Sequence, residues 1–125
     1  MDLNKIVDEL SQSFTCQITW YKELKALVQK ILGKISLSRG NIACAADLFE
    51  QKQKLLTQII TERERIRPYI DTWQKNKQNA SLSLSAATLD AILAEIESEI
   101  KEFLELEEQL KTCIEYTIRK KNPVE

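Results

Sequence analysis

LNKIVDELSQSFTCQITWYKELKALVQKILGKI, residues 3–35, is the stretch whose reading decides the fold. Leu3, Val7, Leu10, Phe14, Tyr21, Leu24, Val28, Ile31 and Ile35 follow one another at steps of three and four, and Gln17 alone breaks the apolar run. Alternating steps of that size keep side chains on one face of an α-helix, so the run is a packing seam. A second seam runs through Leu89, Leu93, Ile96, Ile100, Phe103, Leu110 and Ile114, with Glu107 and Thr117 as its polar members. Between them Ile42, Ala45, Phe49, Lys52, Leu56, Ile59, Arg63, Ile66, Ile70 and Trp73 form a weaker third. Both outer seams are broad. Ile6, Ile18, Trp20, Leu27 and Leu32 flank the first, and Ile92, Leu104, Leu106, Cys113 and Ile118 flank the last. Faces of that width contact more than one neighbour, whereas a two-stranded coiled coil uses only the narrow stripe. The reading is an all-α fold, an antiparallel bundle of three long helices with coiled-coil-like packing.

With 125 residues there is room for one domain, residues 1–125. The first helix should span about 3–37 and stop at Ser38-Arg39-Gly40-Asn41, with Gly40 in a left-handed cap and Asn41 capping the second. The second should span about 42–73, with Pro68 kinking or ending it because proline lacks the backbone donor and clashes with the preceding turn. The polar, Ser/Asn-rich residues 74–85 read as a linker. A third helix is expected over about 86–120, capped by Ser85 or Thr88.

Chemistry is scarce. The chain has no histidine, which removes the commonest general base and the imidazole ligands of metal-binding bundles. Glu95, Glu99 and Glu102 share a helix face, but no matching inward carboxylate stripe accompanies them, so no metal or cofactor is expected. Cys16, Cys44 and Cys113 are far apart and form no CxxC pair, which points to reduced thiols. An enzyme is the class least supported. Arg63, Arg65 and Arg67 are interleaved with Glu62 and Glu64 under a net charge of −1, so nucleic-acid binding is not expected. No apolar run approaches the roughly 20 residues of a membrane span. MDLNKIVDEL carries acids where a signal peptide requires positive charge, so the expected location is the cytoplasm.

The segment Leu48-Phe49-Glu50-Gln51-Lys52-Gln53-Lys54-Leu55-Leu56, continuing through Ile59, Ile60 and the arginines to Pro68, resembles the central part of the FlgN-type flagellar export chaperones. The break at Gly40 and the long helix near the C-terminus are similar as well. That resemblance implies a cytoplasmic chaperone of a flagellar or type III secretion system. Its partners would be the amphipathic C-terminal helices of late, hook-associated substrates, held to prevent premature assembly. Where asparagines are associated with the family's later helix, this chain has Glu107-Glu108-Gln109-Leu110, so no family binding residue carries over to a particular position. From the apolar width of the third helix alone, Leu104, Leu106, Leu110, Cys113, Ile114 and Ile118 form the candidate partner-binding groove. The alternative is a non-catalytic coiled-coil subunit of a homo- or hetero-oligomeric assembly, a homodimer included. Gln17, Lys52, Arg63 and Glu107 would then set register between chains.

Overall fold

The structure, a computed structural model, describes residues 3–80 and 84–121. Helix α1 spans Leu3–Leu37, and a 3-10 turn at Ile42–Ala45 leads into α2, Ala46–Ala80; α3 spans Leu84–Lys121. At about 1.5 Å per residue each helix is on the order of 50 Å long. The chain runs up, down and up, so α2 is antiparallel to both neighbours while α1 and α3 are parallel. Ion pairs fix this arrangement: Lys22 meets Glu95 and Lys25 meets Glu99 and Glu102, whereas Glu9 meets Arg65 and Lys52 meets Glu107.

The end of α1 follows its turn chemistry. Arg39 and Gly40 both adopt positive φ, 57° and 88°, and the Gly40 N–H donates to the Ile35 carbonyl at 2.8 Å, closing the helix with a left-handed cap. Asn41 behaves differently from expectation: its side chain caps nothing. Instead its N–H donates to Ser38 Oγ at 3.1 Å and its carbonyl accepts from the Cys44 N–H, so the backbone of Asn41 organises the turn.

Pro68 neither ends nor interrupts α2, and residues 74–80 of the expected linker are helical; residues 81–83 lie outside the described residues. Ser85 and Thr88, expected as caps, lie within α3. The reason is tertiary. Ile66 and Trp73, on either side of Pro68, are buried against Ile6, Val7 and Leu10 of α1 and Ala86 and Leu89 of α3, and this packing holds the helix across the proline. Pro68 itself is exposed, so the Glu64 carbonyl deprived of a partner sits on the solvent side. Thr72 Oγ1 and Asn76 Nδ2 donate back to the Pro68 and Thr72 carbonyls at 3.0 and 2.9 Å, tying the next two turns together.

Two apolar clusters make up the core. One gathers Ile18, Tyr21, Leu24, Val28, Ile31 and Ile35 of α1 with Ala45, Ile59, Ile96, Phe103 and Leu110. Tyr21 and Phe103 meet there as a tilted ring pair with centroids 5.8 Å apart. The other is the cluster around Ile66 and Trp73. Between them Ser13 and Gln17 are buried in a polar layer. The three helices are not equivalent: α1 lies along the length of both others, while α2 and α3 approach each other at only a few points.

Candidate partner-binding surface

Leu89, Ile96, Phe103, Leu110 and Thr117 recur every seven residues and form the buried line of α3. Each further residue turns the helix by about 100°. Glu107, Ile100 and Ile114, four residues beyond members of that line, lie on the side facing α2. The Lys52–Glu107 ion pair at 2.7 Å and the cleft shared by Phe49, Lys52, Leu110 and Ile114 establish this. Leu104 and Ile118, one residue beyond the line, lie further out on the same side. Glu99, Leu106 and Cys113 face α1, since Glu99 Oε2 sits 2.6 Å from Lys25 Nζ. Tyr116 lies further out on that opposite flank, beside Ile35, Ser36, Arg39 and Gly40.

The six residues expected to form one groove are therefore divided around α3. Leu110 is 3% exposed and belongs to the core, which removes it from any surface in the folded bundle. Leu106, Cys113 and Ile114 are half-buried against the larger cluster, the first two toward α1 and the last toward α2. Only Leu104 and Ile118, 58% and 50% exposed, offer free apolar surface, and they share one flank. The sevenfold recurrence already placed Leu110 on the seam; apolar width without that bookkeeping hid the division. Ile100 and Leu104 form a shallow apolar patch framed by Glu97, Lys101, Glu105 and Glu108. Sequence reasoning missed three members of the exposed apolar set, Leu37 at the end of α1, Ile60 on α2 and Tyr116 on α3.

The acidic residues of α3 divide likewise. Glu99 and Glu102 both approach Lys25 Nζ at 2.6 Å, Glu95 meets Lys22 at 3.7 Å, and Glu107 meets Lys52. Hydrogen bonding to Glu102 and then Glu99 raises the pKa of Lys25 above its ordinary value, outweighing the opposing effect of burial. The Glu95, Glu99 and Glu102 face thus serves to join α3 to α1. Glu97, Glu105, Glu108 and Glu115 enter no ion pair among the described residues, and exposed Lys101 and Lys111 lie among them, so the outer side of α3 carries both signs with acids in excess.

Polar members of the seams are engaged inside the chain. Gln17 Nε2 donates to Ser13 Oγ at 3.2 Å, and the Ser13 hydroxyl donates to Glu62. Glu62 also accepts two hydrogen bonds from Arg65, each 2.8 Å, and Arg65 reaches on to Glu9 at 2.7 Å. The Arg65 hydrogen bonds hold the Glu62 carboxyl below its ordinary pKa despite partial burial, with Ser13 adding to the effect. Arg65 is pushed upward by the same contacts, Glu62 first and Glu9 second. The exception is Arg63, which is exposed and makes no ion pair among the described residues.

All three cysteines are free, Cys16 and Cys44 exposed and Cys113 half-buried. Among the described residues no group of three or more His, Cys, Asp or Glu is placed to hold a metal ion, and no helix is long and apolar enough to cross a membrane. Comparison with protein-family models gives no match, and neither curated proteins nor solved structures give a significant one.

Proposed function

We propose that this chain is a non-catalytic export chaperone of a flagellar or type III secretion system, working in the cytoplasm on the amphipathic C-terminal helices of hook-associated substrates. The observation that carries this reading is the pair Leu104 and Ile118, bulky aliphatic side chains at least half exposed on one flank of α3. Partly buried Ile100 and Ile114 on the same side widen the apolar strip. A helix laid along it would bury its own apolar stripe by anchors at helical spacing. Glu97, Glu105 and Glu108 nearby outnumber Lys101 and favour a partner with some basic residues beside its stripe. The FlgN-like segment around Lys52 supplies the choice of secretion system. Lys52 itself joins α2 to α3 and is not offered to a partner. The alternative of a permanent coiled-coil subunit has four polar seam residues set register between chains, yet Gln17, Lys52 and Glu107 are engaged within one chain and only Arg63 is left for that role.

Co-purification of the tagged protein with C-terminal segments of its own organism's hook-associated proteins tests the reading. A defined complex is expected, lost in the double variant Leu104→Asp/Ile118→Asp with helicity unchanged. Leu106→Asp is the contrasting control, since a carboxylate there enters the core and lowers the melting temperature. Failure of every segment to bind the well-folded wild-type protein would overturn the chaperone reading.

A further inference from the structure

The side of the bundle left open by α1 is the groove between α2 and α3, and its two walls carry complementary features. Lys52 and Glu107 fix the level of one helix against the other. Eight residues along α2 from Lys52 comes Ile60, and seven back along α3 from Glu107 comes Ile100. At about 1.5 Å per residue both lie roughly 11 Å from the ion pair. Three residues further on each helix come Arg63 and Glu97, again level with one another. Ile60 is 59% exposed and Leu104 58%. Arg63 and Glu97 are both exposed and enter no ion pair among the described residues, and they stand at one level on opposite walls. The groove thus has one wall with a free cation beside an exposed isoleucine, and one with a free anion beside Ile100 and Leu104.

We infer that this groove is occupied by the same groove of a second copy, in a two-fold pair whose axis runs along it. Such an axis keeps every residue at its level and exchanges the walls, so α2 of one protomer lies over α3 of its partner. Ile60 then meets the apolar patch of Ile100 and Leu104, and Arg63 meets Glu97, each contact being made twice. An isologous interface requires a surface complementary to itself, and opposite free charges at one level on opposite walls provide that. A foreign helix would need a cation on one flank and an acid on the other to satisfy the same groove. Pairing does not rest on the chaperone reading, but both draw on Glu97, Ile100 and Leu104, so a second copy and a substrate helix exclude one another there.

Sedimentation equilibrium of the full chain at rising concentration tests the inference. A two-chain species is expected. Ile60→Asp/Leu104→Asp should sediment as a single chain with unchanged helicity, because both side chains are exposed within one copy. Arg63→Glu and Glu97→Arg should each weaken pairing by about tenfold, and the double variant, which restores opposite charges between copies, should recover most of the loss. A wild-type chain that remains single at the highest attainable concentration overturns the proposal. So does a pair that survives Ile60→Asp/Leu104→Asp, or one abolished instead by Tyr116→Asp on the opposite flank.

Discussion

Gln17 occupies a position where the seam of α1 calls for an apolar side chain, and it is fully buried there. Its amide nitrogen is satisfied by Ser13, but its Oε1 has no hydrogen-bond partner. An unpaired buried acceptor costs about 1–3 kcal/mol, while a made hydrogen bond contributes about 1. Leucine has a similar volume, so Gln17→Leu should stabilise the protein by roughly 1 kcal/mol, read as a higher urea midpoint with unchanged slope. A lower midpoint would show that the bond to Ser13 outweighs the orphaned oxygen. Glu62, one contact away, makes the same layer sensitive to acid. Its carboxyl is held below the ordinary value of 4.5 by Arg65 and Ser13, so the folded state binds that proton less readily than the unfolded chain. The resulting stability is complete above about pH 4.5 and is lost as pH falls through the folded pKa. Glu62→Gln should therefore be less stable than wild type at neutral pH and converge toward it in acid, measured by urea midpoints down to about pH 3. At the other extreme Lys25, raised above its ordinary 10.5, contributes fully below that value and loses its contribution as pH climbs through the folded pKa.

Helices differ in how openly their sequences declare them. In α1 the three-four rhythm is nearly unbroken and its end carries Gly40, so its end at Leu37 was legible from the residues alone. The end of α2 was not. Pro68 and the Ser/Asn-rich segment after Trp73 are both local breakers, and what overrides them is burial of Ile66 and Trp73 against two other helices, a fact about neighbours that no local pattern contains. The flank that exposes Leu104 was half legible: apolar width was visible, but its division between the α1 and α2 sides depends on which neighbour lies where. Override at Pro68 implies stored cost. Pro68→Ala restores the donor to the Glu64 carbonyl at an exposed site and should raise stability by roughly 1–2 kcal/mol, part of the gain being offset by a more flexible unfolded chain. Gly33 offers a second test on α1. A methyl group built there meets nothing within 4 Å, and the backbone is helical, so Gly33→Ala should add about 0.5–1 kcal/mol. Thermal melts by circular dichroism would check both, and a decrease at Pro68 would mean that the rigid ring, not the packing around it, keeps the chain in register.

Across the whole molecule the polar layer of Ser13, Gln17, Glu62, Arg65 and Glu9 stands between two apolar clusters, and half-buried Phe14 touches both. Hydrophobic burial rewards each cluster separately, so cooperativity between them rests on Phe14, on the helices that run through the layer, and on its hydrogen bonds. The cluster around Trp73 gathers the start of α1, the part of α2 on both sides of Pro68 and the start of α3. Opposite it, the α1–α2 connection is pinned by the left-handed turn at Arg39 and Gly40, and the Lys25 and Lys52 ion pairs tie α3 to both other helices. The end containing Trp73 should therefore open first, as a sub-global unit below the global unfolding free energy. Each cluster has its own tryptophan, Trp73 in one and Trp20 packed against the other, so Trp20→Phe and Trp73→Phe give single-site fluorescence reporters. Urea unfolding followed at Trp73 should precede that followed at Trp20, and Gln17→Leu, by making the core continuous through the layer, should draw the two curves together. Coincident curves in the parent background would mean that Phe14 and the layer already couple the halves into one two-state unit.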